Sequence, residues 1–283
     1  MAASMKDIKL RIHSVESTMQ ITRAMELVAA SKLRRAQERM EQSRPYFRAL
    51  RDTLRDIAAN DPYIESPYFE RRETKRACYV VIAGDRGLAG GYNNNVLRHA
   101  AGCIGGQDAA VLPIGRKALE YFRGRGAALW SEAYEYAADV TVGECFSVAR
   151  LLCESYRKGE FDEVHLVYTH FVSVLSQVPE EVRMLPLYAD LGGKKSDKRR
   201  PLTLYEPSAG AVFDRIVPEY LGGLIYGALC ESVVSEQGAR RTAMDAATSN
   251  AEEMIDELTL RYNRARQGAI TQELTEIVAG AQE

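Results

Sequence analysis

The segment 208–283 constrains the fold of this chain most strongly, because it contains almost nothing that ends a helix. Ser208 follows Pro207 and can serve as an N-cap, and the Ala-rich sequence after it is interrupted only by Pro218 and scattered glycines. At roughly 1.5 Å of rise per residue, a helix of this length measures about 100 Å, several times the usual length. Such a helix needs a packing partner.

Apolar and small residues recur in the second half of this segment at alternating steps of three and four, the spacing of a coiled-coil seam. They are Ala251, Ile255, Leu258, Tyr262, Ala265 and Ala269. A seam of this kind predicts a second helix packed against the first.

The start of the chain carries a matching stripe over residues 5–57. Its members are Ile8, Ile12, Val15, Met19, Thr22, Met25, Ala29, Leu33, Ala36, Met40, Ser43, Phe47, Leu50, Leu54 and Ile57. One three-three step and one four-four step predict local irregularity, and we expect Pro45 to kink or restart the helix. Because many seam residues are small or polar, we expect a coil held less strongly than an Ile/Leu zipper.

The two ends of the chain differ in charge. Residues 1–59 carry twelve Lys/Arg against seven Asp/Glu, whereas residues 208–283 carry six against twelve. This difference favours pairing of an N-terminal helix, 1–59, with a C-terminal helix, 208–283, in an antiparallel coiled coil. The formal net charge of the whole chain is only -2, which argues against nucleic acid as the main partner.

Residues 75–191 have a different sequence pattern, in which apolar runs rich in β-formers alternate with stretches that favour helix. We predict strands at 77–83, 109–114, 127–130 and 163–171, an antiparallel strand at 177–185, and helices at 116–123 and 143–158. The predicted fold class is therefore α/β plus a long antiparallel coiled coil. A small, mostly parallel, Rossmann-like sheet is inserted between the N- and C-terminal helices.

The glycine-rich loop 84–91 is the strongest candidate for enzymatic chemistry, because a strand, a glycine loop and a helix can cradle phosphate. Its spacing fits neither G-x-x-x-x-G-K-[ST] nor G-x-G-x-x-G, so we favour a tight strand-to-helix turn. A phosphate- or nucleotide-binding protein using this loop stays open as an alternative, as does a free-standing coiled-coil scaffold.

Other signs of catalysis or of a bound cofactor are weak. The five cysteines form no C-x-x-C pair and are interpreted as reduced thiols, and the four histidines are scattered. We therefore expect no catalytic residue, no metal and no cofactor. The absence of a signal pattern and of a long apolar run predicts a link to membranes that is at most peripheral.

Three runs of the chain resemble the gamma subunits of F-type ATP synthases, and the resemblance covers essentially the whole sequence. The first contains Lys6-Asp7-Ile8, Arg11-Ile12, Ala24-Met25 and Val28-Ala29-Ala30-Ser31-Lys32; the second Asp85-Arg86-Gly87-Leu88 and Gly90-Gly91-Tyr92-Asn93; the third Ser235-Glu236, Ala239-Arg240, Ala265-Arg266-Gln267 and Ile270-Thr271-Gln272-Glu273. Ala89 stands where many relatives have cysteine.

The resemblance implies a non-catalytic rotor of a proton-transporting ATP synthase. In the family, the coiled coil stands inside a ring of alpha and beta subunits, and the α/β domain holds the epsilon subunit and the membrane c-ring. It also implies a peripheral position at the cytoplasmic face of a bacterial cell membrane. No transit peptide and no chloroplast-type cysteine insert are evident, so thiol control is not expected.

Site residues follow from the resemblance position by position. Arg266 and Gln267 match beta-subunit contacts, with Thr271 and Glu273 close by. A second group, Met25, Glu236 and Arg240, matches a contact region between the N- and C-terminal helices. Tyr205 and Glu206 match the foot of the rotor near the c-ring.

Overall fold

The computed structural model describes residues 5–60, 64–69, 72–187 and 204–280. It contains helices α1 (Met5–Asn60), α2 (Tyr92–Ile104), α3 (Arg116–Arg123), α4 (Val142–Arg157) and α5 (Ala209–Gly280), and strands β1 (Ala77–Ile82), β2 (Ala109–Ile114), β3 (Ala128–Leu129), β4 (Glu163–Phe171) and β5 (Gln177–Leu185). Residues 188–191, which belong to the predicted α/β domain, and the ends 1–4 and 281–283 lie outside the described residues.

Both long helices form as the sequence predicts. Ser208 caps α5, since its Oγ accepts a hydrogen bond from the Ala211 amide at 3.2 Å. Of the two expected outcomes at Pro45, a kink or a restart, the restart is wrong, because α1 continues through this residue. Met40 on one side and Leu54 on the other are 7% and 0% exposed, so packing holds the helix on both sides of the proline.

The five strands lie in the order β3-β2-β1-β4-β5. The β1–β2, β1–β4 and β2–β3 pairs are parallel, and β5 pairs antiparallel with β4. This arrangement confirms the mostly parallel sheet with one antiparallel addition. The third strand is shorter than expected, with two residues instead of four.

Both faces of β1 are buried, which explains its continuous apolar sequence. Cys78, Val80 and Ile82 belong to a core that also contains residues of α1, α4 and α5. Tyr79 and Val81 face the opposite way, into a second core with α2 and α3. The sheet is therefore the middle layer between two sets of helices.

The chain divides into two compact units. The first contains residues 1–31 and 240–283, so its described part is the start of α1 and the end of α5. The second unit contains residues 32–239, with the whole sheet and the remaining parts of α1 and α5. Neither boundary falls at the end of a secondary-structure element.

Gly115, between β2 and α3, has a φ of 99° and a ψ of 144°, a conformation that is close to exclusive to glycine. A Cβ at this position would lie 2.1 Å from the carbonyl oxygen of Ala83. The turn from β2 into α3 therefore requires glycine both for its dihedral angles and for space.

We expect Gly115→Ala to lower the free energy of unfolding of the second unit by at least about 3 kcal/mol, because backbone strain and a steric clash act together. Gly126→Ala is the matched control, since Gly126 also has a positive φ (68°) but an added Cβ meets nothing within 4 Å. It should cost only about 1 kcal/mol. The measurement is urea unfolding followed by Trp130 fluorescence; equal losses in both variants would contradict the expectation.

Candidate functional sites on the glycine loop and the helix pair

The glycine-rich loop after β1 is held by its own side chains. Asn93 accepts a hydrogen bond from the Gly84 amide at 2.9 Å and donates one to the Arg86 carbonyl at 3.1 Å. The carboxylate of Asp85 accepts from the amides of Ala137 and Ala138 at 2.7 and 3.1 Å. The Gly84 amide, which a phosphate could use, is thus engaged within the turn, and the Asp85 carboxylate adds negative charge beside it.

Ligands of doubly wound sheets bind at the carboxyl ends of the strands, where successive crossovers switch faces. Here α2 and α3 lie on one face and α4 on the other, so the switch lies beside the carboxyl end of β1. This position is occupied by α5. A Cβ on Gly84 would lie 2.9 Å from Cδ of Glu236, whose residue is only 9% exposed.

Two serines of α5 complete this contact with β4. Ser232 Oγ accepts a hydrogen bond from the Thr169 amide at 3.4 Å, and Ser235 Oγ donates one to the Thr169 carbonyl at 3.3 Å. Burial, reinforced by the nearby Glu236 carboxylate, raises the pKa of the Tyr92 phenol far above its usual range. Tyr92 is therefore neutral, and the buried Thr169 Oγ1 in the same crevice has no hydrogen-bond partner among the described residues.

Glu236 is predicted by resemblance alone, and neither serine is among the predicted site residues. A signal was present, because Ser232, Ser235 and Glu236 lie three and four residues apart and therefore share one helix face. That face is polar in an otherwise apolar part of α5. The strand that it would meet could not be identified from the spacing.

The histidines near this sheet have structural partners. His165 lies between Glu163 at 3.0 Å and Glu181 at 2.8 Å and stacks on Tyr79. On the other face of β4, His170 contacts Glu231 at 2.7 Å. In the part of the chain that the structure describes, no group of three or more His, Cys, Asp or Glu residues is arranged to hold a metal ion.

All five cysteines are free thiols. Burial raises the pKa of Cys78, Cys145 and Cys153 to about 12, and that of Cys103 to about 11. These thiols stay protonated near neutral pH, which makes them poor nucleophiles.

Within the first unit, α1 and α5 pair antiparallel. Thr22 and Thr248 place their hydroxyl oxygens 2.8 Å apart, and Glu26 lies 3.9 Å from Arg241. In an antiparallel pair, each residue towards the start of α1 lies opposite a residue nearer the end of α5. Counting from the Thr22–Thr248 pair, Met5, the first described residue, lies level with Ala265. The helix pair predicted from the seam is therefore present.

The seam on α5 follows this register. Ala251 and Leu258 are buried, each 7% exposed, and Tyr262 and Ala265 are half-buried. Ala269 is exposed, and the described part of α1 begins level with Ala265, so the place of Ala269 in the seam stays a prediction.

The charge difference between the helices explains few individual contacts. Arg44 of α1 lies 3.9 Å from Glu231 of α5, so the basic residue is on α1 as the charge difference predicts. In the pair of Glu26 with Arg241, the basic residue is on α5 instead. Ion pairs this long and partly exposed contribute little stability, so the apolar stripe decides the pairing.

The predicted contact residues lie at different places. Arg266, Gln267, Thr271 and Glu273 are all exposed on α5, where the Thr271 hydroxyl donates to the Gln267 carbonyl at 2.9 Å. Met25 and Arg240 are half-buried in the first unit, whereas Glu236 belongs to the second unit. In that unit, Tyr205 packs on the core and Glu206 is exposed.

Fold and sites together define a class of protein in which a long helix docks in the crevice at the carboxyl edge of a Rossmann-like sheet. A sequence profile of the family described as ATP synthase matches residues 4–282. The ATP synthase gamma chain of Ruminococcus albus is 47% identical over 97% of this chain and 96% of its own length, and that of Alkaliphilus metalliredigens is 43% identical over 100% and 99%.

A solved structure has the same fold. It is a chain of the Euglena gracilis mitochondrial ATP synthase, with a TM-score of 0.66 and 19% identity over 98% of this chain and 93% of that one. This chain belongs to the ATP synthase gamma chain family and is a non-catalytic subunit of that enzyme. Among the described residues, none of the helices has a stretch long and apolar enough to span a bilayer.

Thr22 and Thr248 form a buried hydroxyl pair that makes more hydrogen-bond contacts than it has hydroxyl protons. Each hydroxyl also lies within bonding distance of a carbonyl in its own helix, Met19 at 3.0 Å and Met244 at 2.9 Å. Two hydroxyl protons must serve three acceptor contacts, so one hydroxyl donates to the other while its partner donates to its own helix.

We expect Thr22→Val and Thr248→Val to destabilise the helix pair by about 1 kcal/mol each, because each leaves one hydroxyl without its partner. The double variant should cost less than the sum of the two, with a coupling energy of at least about 0.5 kcal/mol. Thermal unfolding of the full chain, followed by circular dichroism, measures the cycle. Strict additivity would show that the hydroxyl pair contributes nothing.

Asn93 makes two hydrogen bonds inside the glycine loop, so Asn93→Ala should lower the free energy of unfolding by about 2 kcal/mol. The neighbouring Asn94 is exposed and serves as the control, with an expected change of about 0.5 kcal/mol or less for Asn94→Ala.

Equilibrium dialysis of the unsubstituted chain against ATP should detect no tight binding. A saturable ATP site that Asn93→Ala abolishes would restore the nucleotide-binding alternative.

Proposed function

We propose that this chain is the central rotor shaft of the F1 sector of an ATP synthase, and that it transmits torque between a membrane c-ring and an alpha3beta3 ring. Family membership supports the assignment, and the solved relatives with this fold include a chain described as part of the Tetrahymena thermophila mitochondrial ATP synthase central stalk and c-ring. Ion flow through the membrane is thereby coupled to ATP synthesis.

The end of α5 is the observation that carries this proposal. From Arg266 to Ile277, every described side chain is exposed, including three large apolar ones: Ile270 at 49%, Leu274 at 58% and Ile277 at 62%. Apolar groups exposed together on a helix without a seam mark a surface that another protein covers. This surface fits the inside of a ring of subunits.

Polar groups on the same stretch supply the specific contacts. Arg266 presents a planar fork of donors that suits a carboxylate, and Gln267 adds an amide beside it. We assign Arg266, Gln267, Thr271 and Glu273 to contacts with the beta subunits. The amphipathic mixture agrees with a surface that must bind, release and bind again as it turns.

Other parts of the chain receive roles on the same basis. Helical segments 1–59 and 208–283 form the shaft, with Met25, Glu236 and Arg240 in its helix-contact region. The domain 75–191, with Tyr205 and Glu206 at the foot, binds the epsilon subunit and the c-ring. The complex then places this chain peripherally, at the cytoplasmic face of a bacterial cell membrane.

The two alternatives are less well supported. A phosphate site on loop 84–91 would compete with the bonds made by Asp85 and Asn93 and with Glu236. A free-standing scaffold does not account for family membership over almost the whole chain.

The double substitution Arg266→Ala/Gln267→Ala tests the contact assignment in the assembled complex. Loss of a charge-assisted contact of about 1.5–3 kcal/mol should reduce ATP synthesis and hydrolysis roughly tenfold or more, while assembly is retained. The matched control is Thr259→Ala/Arg264→Ala, which changes two exposed residues in the paired part of the same helix. Full synthesis and hydrolysis in the Arg266/Gln267 variant would refute the assignment.

A further inference from the structure

The second unit contains a cleft whose function the rotor assignment does not explain. It lies between α1, α5 and the last two strands, and its cavity volume is about 200 Å³. Its deepest lining residues are well packed, with Leu166 of β4 at 1% exposure and Tyr220 of α5 at 3%. A mostly apolar lining with a few polar groups is the usual composition of a small-molecule site.

One wall of the cleft carries a row of positive charge. Arg44, Arg48 and Arg51 line it at steps of four and three along α1, so they share one helix face. Glu231 is the one acidic residue in the lining. Its carboxylate lies 3.9 Å from Arg44 and 2.7 Å from His170, so it is already engaged.

The other two arginines are accessible to an anion. Arg51 lies 3.6 Å from the Asp52 carboxylate, but its side chain is 41% exposed and such a pair contributes little stability. Arg48 is exposed. An anion that reaches both guanidinium groups can accept charge-assisted hydrogen bonds from them.

We propose that this cleft binds a single-chain alkyl carboxylate of the fatty-acid type. The carboxylate accepts hydrogen bonds from Arg48 and Arg51, a pairing for which guanidinium groups are well suited. The alkyl chain lies against half-buried apolar side chains of the lining, Phe47, Tyr168 and Leu224. A short anion would gain only the first contact, and a cationic amphiphile would be repelled by the arginines.

Two glycines of α5 shape the cleft differently. A Cβ on Gly223 would lie 2.2 Å from the ring of Phe47, so this glycine allows α1 and α5 to approach closely. A Cβ on Gly227 would meet nothing within 4 Å, although Gly227 lines the cleft. A side chain introduced at Gly227 can therefore fill the space without a clash.

The test uses the assembled ATP synthase complex that contains this chain, with dodecanoate carrying a diazirine as the probe. After illumination, we expect saturable labelling of this chain at residues 220–231 and on β4, displaced by unlabelled dodecanoate but not by butyrate or dodecyltrimethylammonium. Arg48→Gln/Arg51→Gln should weaken half-saturation at least tenfold. Gly227→Leu should abolish the labelling.

Arg34→Gln is the matched control for charge, because Arg34 is exposed on the same helix, pairs with Glu38 and does not line the cleft. It should leave half-saturation unchanged. Unsaturable labelling, or labelling that Gly227→Leu leaves intact, would overturn the proposal. So would equal displacement by the cationic amphiphile, since it would remove the role of the arginines.

Discussion

The contact of α5 with the carboxyl edge of the sheet is the constraint on which the rest of the second unit depends. A doubly wound sheet presents a crevice at this edge, and in this chain Ser232, Ser235 and Glu236 fill it. The hydrogen bonds of both serines to the Thr169 backbone are directional, so the helix can dock in few positions. Sheet and helix are thereby held in one orientation, and Glu236 lies where a ligand of such a sheet would bind.

The seam of the first unit is built differently. Small side chains and a buried threonine pair replace the large Ile and Leu residues of a strong zipper. Such a seam contributes less apolar burial, but the hydroxyl contact favours one register over a slipped one. A helix pair with a defined register and modest intrinsic stability agrees with a part that other subunits surround.

Much of this structure follows from the sequence, because its strongest signals are periodic. The stripe from Ile8 to Ile57 and the apolar run of β1 each predict their element, and Ser208 marks the start of α5. Local rules do not settle what tertiary packing decides, and α1 continues through Pro45 without restarting there. The contact of Glu236 with Gly84 joins residues too far apart in the chain for any spacing to reveal.

The exposed end of α5 shows why an asymmetric helix can change the state of a partner. A ligand shifts a conformational equilibrium only by the difference between its contact energies with the two states. Arg266 and Gln267 offer directed hydrogen bonds, whereas Ile270, Leu274 and Ile277 offer apolar area without direction. These residues follow one another at steps of three and four, so they share one face of α5. In the proposed rotor, a beta subunit that faces this side of the helix has a different contact energy from one that faces the other side. Turning the helix exchanges these contacts between otherwise identical subunits, and their nucleotide affinities differ to the extent that two states of the subunit bind this face unequally.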